Sequence, residues 1–235
     1  MPLHDERAPI APIVLFDIDG TVLTFDGPPP GPGRTSLERA MRDLHALERA
    51  TDGIRVAGGT DRALARAMLR RAAADESDAA IERVIARYLG HLETILQTER
   101  YRPIGDVALT VRRLEERSAV VGLATGNVRQ GARLKLGSAG LAKLFAIERG
   151  GYGCDAEPRA EILRKAVERC TSAANVGAPV VVVGDTERDV QAGRAIGARV
   201  VGVARDEEAR RELAQAGADA IVEACGEALV HAVFG

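Results

Sequence analysis

Three aliphatic runs in the second half of the chain constrain its fold more than any other feature: Val120-Val121-Gly122-Leu123-Ala124, Val180-Val181-Val182-Val183 and Val200-Val201-Gly202-Val203. An earlier run, Ile13-Val14-Leu15-Phe16, has the same character, and Ala220-Ile221-Val222 is a weaker fifth. A run of this length, bounded by polar and Gly residues, reads as a strand buried on both faces. The stretches Val107 to Arg117, Val128 to Leu136, Ala160 to Cys170 and Asp189 to Ile196 carry a helical period. Strands alternating with helices imply parallel βαβ units with right-handed crossovers. The sequence therefore predicts an α/β fold built on a doubly wound parallel sheet.

Residues 26–97 break this rhythm. The stretch Asp26-Gly27-Pro28-Pro29-Pro30-Gly31-Pro32-Gly33 is expected to be neither helix nor central strand. Beyond it, Leu37, Met41, Leu44 and Leu47 fall on one helical face, and Leu64, Met68 and nearby alanines on a second. Ile81, Val84, Ile85, Tyr88, Leu89, Leu92 and Leu96 make a third. Three amphipathic helices without an intervening strand predict a small all-α bundle. The expected division is a core of residues 1–25 and 98–235 and a helical cap of residues 26–97, hanging over the carboxyl end of the first strand.

That strand end holds Asp17-Ile18-Asp19-Gly20-Thr21. Two carboxylates just past a buried strand are costly without a partner. Their spacing lets one side chain and one backbone carbonyl face a common point, where a hard cation such as Mg²⁺ would satisfy both. The carboxyl ends of parallel strands are also where open α/β sheets bind ligands. Two other runs end the same way, in Thr125-Gly126-Asn127 and in Gly184-Asp185-Thr186-Glu187-Arg188-Asp189. Thr125 with the N–H groups of Gly126 and Asn127 could hold an anion at a helix start, or could be an ordinary helix cap. Asp185 and Asp189 add acidic charge, which predicts a divalent cation; Asp189 could equally cap the following helix.

Composition narrows the function. With 32 basic and 34 acidic residues the net charge is −2, and aromatics make up 3% with no Trp. Neither a nucleic-acid surface nor a polybasic membrane surface is expected. Cys154, Cys170 and Cys225 form no zinc pattern and suggest a reducing compartment. The histidines at 4, 45, 91 and 231 are too scattered for a metal cluster. Without a long apolar segment near the N-terminus, a soluble cytoplasmic protein is expected. Arg129, Arg133 and Lys135 read as a solvated basic helix face, and Arg34 and the loop Arg55 to Asp61 as cap-side groups that could approach a substrate.

Taken together, these segments resemble the haloacid dehalogenase-like hydrolase superfamily, in its phosphoglycolate phosphatase and β-phosphoglucomutase branch with a helical cap. The resemblance implies a Rossmann-like core, Mg²⁺ and a small phosphorylated metabolite. It implies that Asp17 is the nucleophile that forms an aspartyl-phosphate and that Asp19 moves protons while its backbone carbonyl binds the metal. Asp17, Asp19 and Asp185 would form the metal set. Asp189, Thr21, Gly126 and Asn127 would support it, and Thr125 would hold the phosphoryl group. An Asp two residues after the nucleophile resembles the phosphatases and phosphomutases, not the dehalogenases. The chain departs from the family at one point. The usual Lys before a Pro is replaced in Glu157-Pro158-Arg159, so Arg159 is expected to supply the cation, with Lys165 as the alternative. The function expected is a Mg²⁺-dependent phosphatase. A phosphomutase and a regulatory protein without turnover are the alternatives.

Overall fold

A computed structural model describes residues 10–235. The features read from the extreme N-terminus, His4 included, lie outside the described residues. The chain runs through β1 (Ile13–Phe16), β2 (Leu23–Thr24), α1 (Pro32–His45), α2 (Asp61–Arg71), α3 (Asp78–Ile95), β3 (Arg102–Pro103) and α4 (Val107–Glu116). It continues through β4 (Val120–Thr125), α5 (Arg129–Ser138), β5 (Gly151–Tyr152), α6 (Arg159–Cys170), β6 (Val180–Gly184) and α7 (Glu187–Ala195). It ends with β7 (Arg199–Val203), α8 (Glu207–Ala216), β8 (Ala220–Val222) and α9 (Glu227–Phe234).

Six strands form one sheet in the order β5-β4-β1-β6-β7-β8. Every pairing within it is parallel. The aliphatic runs become strands because both faces are covered. Val14 and Phe16 join Val181, Val183, Val201 and Val203 in one apolar cluster. Ile13 and Leu15 join Val182 and Val200 in the cluster on the other face. This is the two-residue alternation of a strand with no wet side. No described helix is long and apolar enough to cross a membrane.

Helices α1 to α3 bury a cluster of their own that includes Leu37, Met41, Met68, Ile81, Tyr88 and Leu92. Two expectations here need correction. Leu44 is 40% exposed instead of lying on the inner face, because α1 turns away at Ala46, which has a positive φ of 52°. And α1 begins at Pro32, inside the stretch expected to be non-helical: Pro occupies the first turn, where its missing N–H would have no helical acceptor. The chain leaves the sheet and returns to it through an antiparallel ribbon that pairs Leu23 with Pro103 and Thr24 with Arg102.

The start of α2 docks on the loop after β4. The Asp61 N–H donates to the Gly126 carbonyl at 2.9 Å, and Asp61 Oδ2 accepts from the Val128 N–H at 2.8 Å. Thr60 caps α2 by accepting from the Ala63 N–H. The fit is close, since a Cβ at Gly126 would lie 2.3 Å from the Gly59 carbonyl oxygen. Burial pushes the Asp61 carboxyl up to about 6, against the pull of Lys135 and of the Val128 N–H. Between the ordinary carboxylate value and this raised one, the folded state holds a proton that the unfolded chain has lost, so stability falls as pH rises through the interval. Asp61→Asn keeps an oxygen for Val128 and removes the charge. Its stability relative to wild type should therefore improve as pH climbs from about 4 to 7, by up to ~3 kcal/mol. Urea denaturation at several pH values measures this; a difference that does not vary with pH would show that Asp61 carries no buried charge.

Candidate active site

The site lies at the carboxyl ends of β1, β4 and β6. The Asp17 N–H donates to the Val183 carbonyl at 2.9 Å, which extends the β1–β6 ladder one residue and fixes the direction of the buried Asp17 carboxylate. The chain then turns through Gly20, whose φ is +82°. A Cβ at Gly20 would lie 1.9 Å from Asp185 Oδ2, so both backbone sign and space require glycine there. Thr21 Oγ1 donates to Asp185 Oδ1 at 3.2 Å and ties the turn to the end of β6.

Carboxylate oxygens of Asp17, Asp185 and Asp189 all lie within 4.8 Å of one another. Arg159, on the first turn of α6, reaches into this group. Its Nη2 donates to Asp17 Oδ1 at 2.8 Å and to Asp189 Oδ1 at 2.6 Å, and the pairing keeps the buried guanidinium charged against desolvation. Asp189 has two duties at once. Its Oδ2 accepts from the Thr186 N–H and Oγ1 in a capping box at the start of α7, while its Oδ1 holds Arg159. Three buried carboxylates thus face one guanidinium. Burial, opposed by Arg159 and reinforced by the neighbouring acids, pushes Asp17 up to about 6. Burial and Asp17 drive Asp185 well above the usual carboxylate range. An all-oxygen donor set with surplus negative charge fits a hard divalent cation such as Mg²⁺.

Asp19 faces the other way. Its carboxylate lies outside the acidic cluster, bound by Lys135 Nζ at 2.9 and 2.7 Å and by Asn127 Nδ2 at 2.7 Å. Any part for Asp19 in holding a metal therefore falls to its backbone, not its side chain. Thr125 Oγ1 accepts from the Asn127 N–H and Nδ2, which shapes the loop beneath the cleft. Thr125 does not cap α5; that position belongs to Val128.

Lys135 requires a correction. It was expected on a solvated face with Arg129 and Arg133, but only those two are exposed, and Lys135 is 5% exposed inside the site. At 100° per residue, Lys135 stands on the side of α5 that carries Gly131 and Ala132, away from Arg133. That offset, visible in the spacing alone, was the signal for its burial. Its ammonium stays charged because Asp19 more than offsets desolvation. Lys165 is not brought into the site; it pairs with Glu168 on the exposed side of α6. Glu157, where a cation would be usual, instead accepts from Arg66 of α2 at 2.7 Å. Arg34 lines the cleft with its Nε bound to Thr51 Oγ1 and Glu38. The loop from Val56 to Asp61 also lines the cleft, whose volume is about 330 Å³.

Residues 12–197 match the family model described as haloacid dehalogenase-like hydrolase. The chain is 32% identical over 185 residues to a phosphoglycolate phosphatase of Xanthomonas campestris pv. campestris, covering 78% of this chain and 79% of that protein. Its fold is similar to that of a hydrolase from Pseudomonas syringae, with TM-score 0.68 and 20% identity over 94% and 97% of the two chains. A HAD hydrolase of family IA, variant 3, from Entamoeba histolytica superposes with TM-score 0.71 at 17% identity, over 95% and 100%.

Two outcomes follow from this geometry. Mg²⁺ should raise the melting temperature at pH 7.5 by several degrees at saturation, the usual linkage effect of a ligand that binds only the folded state. The shift should shrink near pH 5, where Asp17 and Asp185 hold protons, and Asp185→Asn should reduce it at both values; an Asp185→Asn melt with an undiminished Mg²⁺ response would remove Asp185 from the cation site. Arg159→Ala should depress turnover strongly while Lys165→Ala leaves it near wild type. The reverse result would move the third-motif cation to Lys165.

Proposed function

The chain belongs to the haloacid dehalogenase-like hydrolase family, and we propose that it is a Mg²⁺-dependent phosphatase acting on a small soluble phosphomonoester through an aspartyl-phosphate on Asp17. The observation that carries this reading is the division of labour between two carboxylates two residues apart. Asp17 is buried among Asp185, Asp189 and Arg159, whereas Asp19 is turned toward Lys135 and Asn127 on the cap side.

A phosphate ester resists attack because its oxygens are charged, so the site must offset charge before Asp17 can approach phosphorus. Arg159 contributes one positive charge and holds Asp17 Oδ1 in place. Asp17, Asp185 and Asp189, with the Asp19 carbonyl, would hold Mg²⁺, which supplies the remaining positive charge that phosphoryl oxygens need. The Thr125 hydroxyl and the N–H groups after it, at the head of α5, suit an equatorial phosphoryl oxygen. Attack by Asp17 forms the aspartyl-phosphate and expels the alkoxide, to which Asp19 gives a proton. Asp19 then takes a proton from the water that cleaves the intermediate. Docking of the Val56–Asp61 loop excludes bulk water from both steps. The similarity to a phosphoglycolate phosphatase supports a small leaving group.

Release of inorganic phosphate from a panel of sugar phosphates, phosphoglycolate and nucleotides, with and without Mg²⁺, tests the reading. Turnover without a bisphosphate activator separates it from a phosphomutase. Asp17→Asn should abolish turnover, by ~10³-fold or more, without loss of fold. Asp19→Asn should cost about 10²–10⁴-fold with an alkyl phosphate, the range for a lost proton-transfer group. An active Asp17→Asn enzyme would remove Asp17 as nucleophile.

A further inference from the structure

We propose that Lys135, with the hydroxyls of Tyr88 and Tyr101, forms a subsite for a carboxylate carried on the leaving group within one or two carbons of the ester oxygen, and that Asp19 occupies this subsite as a stand-in until such a substrate arrives. The proposal rests on the phosphatase reading of the same cleft and names its substrate class.

A carboxylate is already seated on Lys135: both oxygens of Asp19 lie at hydrogen-bond distance from Nζ, at 2.9 and 2.7 Å. An ammonium has three N–H donors, so one remains for another acceptor. The neighbouring groups are also donors in surplus. Tyr88 Oη is fully buried, lines the cleft and has no hydrogen-bond partner among the described residues. A buried hydroxyl without a partner is costly. Tyr101 Oη accepts from the Gly33 N–H at 3.2 Å, which leaves its own proton to donate. A Cβ at Gly33 would lie 3.3 Å from Lys135 Nζ and 3.4 Å from Tyr101 Oη, so the first turn of α1 closes over the same spot. The positive ends of α1 and α5 thus meet there. The competing acid is Asp61 on the opposite wall, and its Oδ2 is held by the Val128 N–H at 2.8 Å. Arg34, the other cation of the cleft, is engaged by Glu38 and Thr51. Donors therefore outnumber free acceptors around Nζ, which favours an anionic substituent over a hydroxyl.

Position sets the size. The ester oxygen that Asp19 serves and the ammonium that Asp19 binds are two hydrogen bonds apart, ~5–6 Å at most. A carboxylate one or two carbons from that oxygen spans this gap, and a longer sugar chain overshoots it. When the substrate carboxylate takes the ammonium, Asp19 is freed to turn to the ester oxygen. Lys135 is then a positioning residue for Asp19 as well as a recognition group.

The test uses Asp17→Asn full-length protein with Mg²⁺, in which ligands bind without turnover. Calorimetry with 2-phosphoglycolate and its neutral analogue 2-hydroxyethyl phosphate should show at least tenfold tighter binding of the carboxylate. Adding Lys135→Met should bring the ratio near one, Lys135→Arg should restore part of it, and Tyr88→Phe should lower it severalfold. Thermal melts confirm that each variant is folded; should Lys135→Met not fold, the Lys135→Arg and Tyr88→Phe ratios decide. Equal binding of the two ligands, tighter binding of the neutral one, or a ratio that survives the variants overturns the proposal. A wild-type protein that releases phosphate from no ester would instead overturn the phosphatase reading, a result independent of the binding ratio.

Discussion

The parallel register between β1 and β6 is the constraint on which the site depends. Ile13 pairs with Val180 and Phe16 with Val183, so the two strands end level, and the residues just beyond them are Asp17 and Gly184-Asp185. Segments 168 residues apart are thereby placed side by side with no freedom to slide. A slip of one residue would turn Val14 and Phe16 from one apolar cluster toward the other and carry Asp17 to the wrong face. Burial of the sheet on both sides is what makes that slip prohibitive. The acidic cluster is thus maintained by hydrophobic packing beneath it, against its own electrostatic repulsion.

That repulsion shapes the neighbouring choices. Arg159 spans Asp17 and Asp189, and Asp189 is in turn fixed by the capping box of α7. A planar guanidinium suits this bridging position better than a lysine, because its donors are held in a rigid fork. Its opposite edge shows the cost of the arrangement: Arg159 Nε is buried with no hydrogen-bond partner among the described residues. Gly20 follows from the same crowding, since the Asp185 carboxylate fills the volume that a side chain would need. Each of these features lowers the stability of the isolated fold and raises the affinity of the site for positive charge and for phosphate.

Sheet and acids were legible in the sequence for a shared reason. A strand buried on both faces leaves a continuous aliphatic run, and a charged residue beside such a run is conspicuous. What was not legible depended on tertiary placement. β5 contributes only Gly151 and Tyr152, too few residues to show a period, and the β2–β3 ribbon pairs two-residue segments on either side of the helical insert. Helices α8 and α9 carry a helical composition, but their position at the end of the sheet comes from packing. Pro32 was misread because its helix-breaking effect was applied at a first turn, where it does not act. Lys135 was misread by residue type: a lysine suggests solvent, whereas its angular position on α5 placed it with the small, buried residues. Leu44 is the converse case, an apolar residue on the expected face of a helix that ends too soon to bury it.

The contacts of α2 with the loop after β4 join substrate choice to phosphate grip. Gly126, whose N–H is placed to meet a phosphoryl oxygen, gives its carbonyl to the Asp61 N–H, and the Asp61 carboxylate receives the Val128 N–H two residues later. A displacement of the cap loop therefore pulls on the loop that would hold phosphate. Gly58 packs against Thr186, and Arg55 pairs with Glu187 at 2.6 Å, which extends the same coupling to the start of α7. The cap is thus seated by contacts with two of the three catalytic strand ends, through backbone groups and the side chains that bracket them. Closure over a ligand and alignment of the loop after β4 are one event in this geometry, because the same hydrogen bonds serve both.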